Sequence, residues 1–456
     1  MKEGTRTAAK NILRGAAILL TGIAAGLLLL ACVYAIPQSA MRGNIEKSIG
    51  ILHKETVYPY ALDEIRATQL DNFTDALMLN ETYYKGGSFA EDMLSSVYIS
   101  KDGAADNTVE AFYDYMTGAE GEYYEVSYGR YWHGYQVVLA PLLTVFNISS
   151  IRFLNMAVQL VLVAAVLLAL YARGRRDTLI PYGFMWLSLI PVALFYSLQF
   201  SSTFYVMALL SLLIAAKREK LCFAKLCLSF EIAGIMEAYF DFLTYPLVAF
   251  GVPAILWFAL DAEKKQPLRC RIGQLVKLGV SWVCGYLGMW SSKWIIAALF
   301  ARDNTLATAI GSVKFRSSMQ IGDTAISYLD VLKANVVHYM FRGFAVLLAA
   351  GILLWLVQWI RQRKRGAAPD LTGVLPVMGI VAVCALMPFG WYFAVGNHSY
   401  LHSWFTFREL SIFFYGGFTI PYLYLHFCRE KSKSNKTVPV FSERPGRFVL
   451  CLFYSV

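Results

Sequence analysis

Apolar residues in this chain neither alternate nor recur on one helical face; they form long, nearly unbroken runs. Ten such runs fall at 12–36, 151–172, 178–198, 201–216, 221–240, 243–260, 274–300, 341–360, 371–395 and 404–427. Each is close to the roughly 20 residues that a helix needs to cross the hydrocarbon of a bilayer. The pattern therefore predicts an all-α polytopic membrane protein with about ten transmembrane helices. One more apolar stretch, "GYQVVLAPLLTVFNI" (134–148), is only about 15 residues long and carries Pro141. It is expected to lie at the interface or to re-enter, not to cross.

The polar residues between the runs set the orientation. Basic clusters occur at Lys2, Arg6, Lys10 and Arg14; at Arg173, Arg175 and Arg176; and at Lys217, Arg218 and Lys220. Others lie at Lys264, Lys265, Arg269 and Arg271; at Arg361, Arg363, Lys364 and Arg365; and at Arg429, Lys431, Lys433 and Lys436. All fall on one side if 151–172 is the second crossing, and the positive-inside rule makes that side the cytoplasm, with both termini there. Residues 37–133 contain 16 acidic and 7 basic residues, the reverse balance, as an external segment should. The second external segment, about 301–336, is mildly basic through Arg302, Lys314, Arg316 and Lys333.

The expected organisation follows. Residues 1–36 hold a cytoplasmic N-terminus and the first anchor, and 37–150 an extracytoplasmic loop with interfacial helices. Nine further spans occupy 151–427, and 428–456 form a cytoplasmic tail. "VYAIPQ" offers a cleavage pattern after Ala35, but the apolar core before it exceeds the roughly 7–15 residues of a signal peptide, so an uncleaved anchor is expected.

Composition adds exclusions. With 57% hydrophobic and 16% charged residues, a soluble globule is ruled out. The net charge of +10 is accounted for by topology, so no nucleic-acid partner is expected. None of the eight cysteines falls in an external segment, so no disulfide framework is implied. There is no P-loop, Gly-rich phosphate fingerprint or G-x-S-x-G elbow, which argues against ATP-driven chemistry and gives no cofactor.

Candidate chemistry collects on the outer face. Five of six histidines map there: His53, His133, His338, His398 and His402. Three pairs spaced four apart lie on the same face: Asp71/Asp75 in "LDNFTDALMLNETYY", Glu237/Asp241 in "GIMEAYFDFLTYP" and His398/His402 in "GNHSYLHSWFTFREL", which also holds Asn397. On a helix each pair points one way. Crowded acids in a low-dielectric cleft raise one another's pKa, which yields a general base near neutrality. The same spacing also suits a capping or solvated pair. His398 and His402 lack a third and fourth ligand, so no metal site is assigned. Arg130, His133, Lys293, His338, Arg342 and Arg408 are the cations and imidazoles available to a phosphate leaving group. Glu231 is an intramembrane acid. "YYEVSYGRYWHGY" and "SWFTF" supply external aromatics for stacking on sugars or for an interfacial belt.

An anchor, a long acidic external loop, an interfacial helix before the second span, about ten spans and a polar outer face together resemble the GT-C class of membrane glycosyltransferases. That class includes protein O-mannosyltransferases, the lipid A aminoarabinose transferase and mycobacterial arabinosyltransferases. The resemblance implies a GT-C-like fold, a polyprenyl-phosphate sugar donor, a glycan or lipid acceptor, and a first-loop carboxylate as base, here Asp71 or Asp75. Class members often place that acid a few residues after the first span, whereas about 35 residues intervene here. "DNFTDALML", "YWHGY", "YFDFLTYP" and "NHSYLHSWFT" also resemble segments of multi-pass proteins of Gram-positive bacteria, a likeness that carries no chemistry.

The implied reaction is an inverting transfer at the extracytoplasmic face of the cell membrane. Asp71 or Asp75 takes the acceptor's proton, and Arg130, His133, Glu237, Asp241, His338, Arg342, Asn397, His398, His402 and Arg408 bind substrate. Two rivals stand beside it. One is a secondary transporter or flippase of lipid-linked saccharides, working through Glu231; the other is a non-catalytic cell-envelope assembly protein.

Overall fold

A backbone in lipid must satisfy its hydrogen bonds internally, which for an unclosed chain means helix. In the computed structural model, which describes residues 2–102, 107–300, 305–364 and 371–437, helix dominates and the four strands are two to four residues long. The expected tail beyond 437, including "RFVLCLFYSV", lies outside the described residues, as do Arg302 and Arg365.

Helix α1 (Lys2–Tyr34) leads into a folded loop of helices α2 (Gln38–Glu55), α3 (Asn72–Tyr83) and α4 (Phe89–Ser95), strand β1 (Tyr98–Lys101), helix α5 (Thr108–Thr117), strand β2 (Tyr123–Val126) and helix α6 (Gln136–Leu143). β1 and β2 pair antiparallel, Tyr98 opposite Val126. Asn80 of α3 holds β1 through both amide atoms, donating to Ile99 O at 2.8 Å and accepting from Ile99 N at 3.1 Å. With eight residues, α6 rises only about 12 Å, too little to cross a hydrocarbon layer of about 30 Å. The loop is pinned to the bundle where Ser48 Oγ accepts from Ile148 N at 2.9 Å.

The bundle continues with α7 (Ile148–Ala172), α8 (Arg176–Ser188), α9 (Pro191–Tyr196), α10 (Ser201–Lys217), α11 (Phe223–Phe240), α12 (Leu247–Leu260) and α13 (Leu268–Phe300). A second excursion holds α14 (Thr305–Arg316), a hairpin of β3 (Gln320–Ile321) and β4 (Thr324–Ala325), and α15 (Tyr328–Val336). Then follow α16 (Arg342–Arg363), α17 (Leu371–Ala385), α18 (Met387–Ala394), α19 (Gly396–Leu401), α20 (Ser403–Thr406) and α21 (Ser411–Thr437).

Among the described residues, six helical stretches are long and apolar enough to cross a membrane: Ala9–Tyr34, Ile148–Ala172, Leu198–Lys217, Leu268–Phe300, Arg342–Arg363 and Gly373–Ala394. The other expected spans depart from that standard for local reasons. Residues 178–198 break at Ile190, which takes a left-handed φ of 55°, and restart at Pro191. α11 carries Lys225, Glu231 and Glu237. α12 has 14 residues and so rises about 21 Å. Residues 404–427 are divided among α20, a 3-10 turn at Phe407–Leu410, and α21.

Burial divides the helices by position. Only 17% of the α1 window is buried, with Ile12, Leu13, Leu20 and Leu28 exposed, whereas 67% of Leu198–Lys217 is buried. Exposed leucines on a helix of this length suit a lipid surround. The tightest seam lies between α11 and α13. A Cβ on Gly234 would sit 2.1 Å from the Trp282 carbonyl oxygen, and one on Gly285 2.1 Å from that of Glu231. The two backbones therefore touch, as small residues allow between membrane helices.

Candidate functional site

The first turn of α3 carries the "DNFTD" acids. Asp71 is its N-cap: Oδ1 accepts from Thr74 N at 3.0 Å, satisfying a donor that the helix leaves open. Its own N–H donates to Ser197 Oγ at 2.8 Å, and Oδ2 accepts from the Trp404 indole at 3.3 Å. Asp75 is fully buried and accepts N–H bonds from Leu198 at 3.2 Å and Gln199 at 3.3 Å, the amides that open the helical stretch into α10. Unpaired N–H groups at a helix start favour an anion.

One cation serves this cluster. Arg152, in the second turn of α7, donates from Nη1 to both Glu55 oxygens at 2.9 and 2.8 Å and from Nη2 to Asn72 Oδ1 at 2.9 Å. Its Nη2 lies 3.8 Å from Asp75 Oδ2. Two carboxylates, Glu55 and Asp75, thus share one guanidinium. Burial pushes Asp71 above the usual carboxylate range, against the hydrogen bonds from Thr74 and Trp404. Burial also pushes Asp75 up to about 7; Arg152 opposes that shift and Asp71 adds to it. A carboxyl in that range exchanges protons near neutrality.

Tyr58 and Trp404 roof Asp71, with ring centroids 5.6 Å apart. Tyr58 is 42% exposed and opens this corner to solvent. Trp404 continues to His402 at 5.1 Å, and His402 to His398 at 4.8 Å, ring to ring. His398 Nε2 faces Leu243 O at 2.7 Å and so carries the hydrogen. Burial, Arg316 and His402 push His398 well below its ordinary value, and burial with Arg316 lowers His402 to about 4. Both rings are neutral at pH 7, and neither Nδ1 has a partner among the described residues. No group of three His, Cys, Asp or Glu side chains that could hold a metal occurs among the described residues.

Glu237 and Asp241 meet through hydroxyls. Thr203 Oγ1 donates to Glu237 at 2.5 Å and lies 3.3 Å from Thr244 Oγ1; Thr244 donates its N–H to Asp241 at 2.8 Å. Asp241 is pushed up to about 6 by burial, opposed by its bonds from Thr244. Arg408 is fully buried without a carboxylate partner among the described residues. It donates to the Leu189 and Trp404 carbonyls at 3.0 Å each and covers the Phe200 ring at 4.4 Å. His338 stacks on Phe407 at 4.7 Å, and burial, then Arg408, lowers it to about 4 against its bond to the Arg66 backbone.

A second buried group holds His133 and Arg130. His133 Nε2 faces Tyr128 O at 2.8 Å and donates there, while Nδ1 lies 2.8 Å from Glu81 Oε2. The Tyr135 hydroxyl donates to the same Glu81 oxygen. Arg130 reaches Ser312 at 3.2 Å and covers Tyr128. Lys293 is buried near the Trp132 ring at 5.6 Å. Phe242, next to Asp241, packs on His133 at 5.3 Å and joins the two groups.

Two expected site residues stand apart from these groups. Arg342 is exposed at the start of α16. Asn397 ties α19 to the β3–β4 hairpin through its N–H to Ser318 O at 2.9 Å and its side chain to Gln320 O. Four participants at the Asp71 corner escaped sequence reasoning: Glu55, Tyr58, Arg152 and Ser197. Only Arg152 left a signal, as a lone charge within the apolar "NISSIRFLN" run.

Beside the acid cluster runs an apolar groove of about 370 Å³. Val138 and Leu142 of α6, Leu154 and Val158 of α7, Leu209 of α10 and Phe240 of α11 line it. Val138, Leu154, Val158 and Leu209 are exposed, so the groove opens on the flank of the bundle. Its remaining wall includes Met78, Leu198, Ser201 and Ser202, and it therefore abuts the segment that holds Asp75.

No protein-family model, curated protein or solved structure matches the chain.

Proposed function

We propose that the protein is a GT-C-like membrane glycosyltransferase of ten crossings with both termini cytoplasmic. It transfers a sugar from a polyprenyl-phosphate donor to a glycan or lipid acceptor on the extracytoplasmic face. The observation that carries this reading is the side-opening apolar groove ending against the segment that anchors the buried acid pair. A polyprenyl chain suits such a groove, because it enters from lipid without crossing water.

In this reading Asp71 is the base. Its Oδ2 is engaged only by the long indole bond of Trp404, whereas Asp75 is committed to two backbone amides. Asp71 takes the proton of an acceptor hydroxyl seated on Tyr58 and Trp404. The hydroxyl oxygen forms the new bond to the anomeric carbon as the bond from that carbon to the phosphate oxygen breaks. The lipid phosphate leaves with both electrons, and the centre inverts. Arg152, between the groove-lining Ile151 and Leu154, holds the acid cluster in place beside the groove through Glu55 and Asn72.

The test is transfer by purified protein in lipid nanodiscs supplied with labelled polyprenyl-phosphate sugars. Asp71→Asn should lower the rate roughly 10²–10⁴-fold, the range for loss of a general base. If Asp71→Asn leaves transfer intact, Asp71 is not the base; if the protein shows no transfer, or if Asp71→Asn and Asp75→Asn both leave the surface glycan unchanged while Glu231→Gln abolishes function, the transferase reading fails and transport replaces it.

A further inference from the structure

The opposite end of the bundle holds a second cavity, of about 500 Å³ and mostly polar, which the transfer reading does not use. Four cations line it, Arg173 after α7, Arg175 before α8, Arg218 after α10 and Lys264 after α12, together with the three acids Glu219, Asp261 and Glu263. Its volume is within the roughly 300–1,000 Å³ of small-molecule sites.

The local charge pairs leave this cup short of anions. Asp261 alone serves three cations: Arg218, Lys264 at 3.0 Å and Arg271 at 3.6 Å. The partner of Arg173 is Glu219 at 3.2 Å, whose side chain is 86% exposed, so solvent weakens that pair. Arg175 is held by Asp177 at 2.8 Å and by the Ala259 carbonyl at 2.7 Å, which fixes its fork in place. Glu263 turns to His426 at 3.3 Å. Arg218 lies flat on Trp257 at 3.6 Å, and its Nε has no partner among the described residues. Burial first, then Arg173 and Arg175, lower Arg218 to about 10, with Glu219 opposing.

From this geometry we infer that the cup formed by Arg173, Arg175, Arg218 and Lys264 binds a phosphate-bearing anion. Planar guanidinium forks held by a carboxylate, carbonyls and an indole are preorganised for phosphate oxygens, and a phosphate relieves their mutual repulsion. The chemistry is the same whether the phosphate belongs to a lipid headgroup or to a soluble phosphate compound. This inference stands independently of the transferase reading.

The test uses the full chain in nanodiscs and follows the thermal midpoint, which rises with ligand that binds only the folded state. In neutral phosphatidylcholine discs, inorganic phosphate and pyrophosphate are compared with chloride at matched ionic strength. In a second arm, phosphatidylglycerol replaces part of the neutral lipid. A shift in the first arm identifies a soluble phosphate compound, and a shift in the second alone identifies a headgroup; both support the site. The double variant Arg173→Gln/Lys264→Gln should weaken binding roughly tenfold or more, as loss of charged hydrogen bonds implies. Glu219→Gln should tighten it, and Lys220→Gln/Arg361→Gln, basic positions outside the cup, should leave it unchanged. No shift in either arm, or equal shifts in all variants, overturns the inference.

Discussion

Helix α7 has an arginine near each end, and the two live in opposite electrostatic settings. Arg152 and Arg173 are separated by about 30 Å along the helix axis. Arg152, 4% exposed at the side chain, is outnumbered by Glu55, Asp71 and Asp75. Arg173, 23% exposed, faces a cup where Arg218, Lys264 and Arg271 already share Asp261. Scarcity of cations at the loop end leaves a carboxyl ready to hold a proton; scarcity of anions at the other end leaves guanidinium donors ready for a ligand. Whether an ionisable cluster manages protons or binds ions is thus set by which sign is in excess, and burial sets how strongly.

Beyond the Asp71→Asn test, replacing these arginines should break the contrast unequally. Arg152→Met strips Glu55 and Asp75 of their only near cation among the described residues and should cost about 3–5 kcal/mol, the range for breaking a buried pair. A thermal midpoint close to wild type would show that Glu55 and Asp75 do not depend on it. Second in size is a pH effect. Asp75 holds its proton more tightly folded than unfolded, since its pKa rises from 3.8 to about 7. Its contribution to stability is therefore complete below about pH 4 and is lost as pH climbs through about 7. Asp75→Asn should flatten that part of the midpoint-versus-pH curve, and an unchanged slope would assign it to another group.

Smaller effects sharpen the comparison. Gly234→Ala, which touches neither charged end, should cost about 1–3 kcal/mol by forcing α11 from the Trp282 carbonyl, while leaving the pH slope intact. Arg173→Gln should cost no more than about 1 kcal/mol, because its ion pair is largely solvated. A loss as large as that of Arg152→Met would erase the proposed difference between the ends.

Local pattern carried much of the architecture. Unbroken apolar runs marked the helices, and of the capping or solvated roles open to the Asp71/Asp75 pair, Asp71 takes the cap of α3. Hydropathy did not register the left-handed turn at Ile190 or the shortness of α12, which depend on backbone conformation and on burial among neighbouring helices. The site was less legible because its bonds are long-range. Asp75 takes amides 123 and 124 residues away, Arg152 reaches Glu55 across 97, and Trp404 reaches Asp71 across 333. Spacing on one helix shows which acids share a face; it does not show which distant backbone will neutralise them.

The seam at Gly234 and Gly285 limits what the molecule can conduct. With two main chains in contact there, no passage opens between α11 and α13 along this line unless the helices are pried apart. Such a welded joint makes α11 and α13 one piece of the frame.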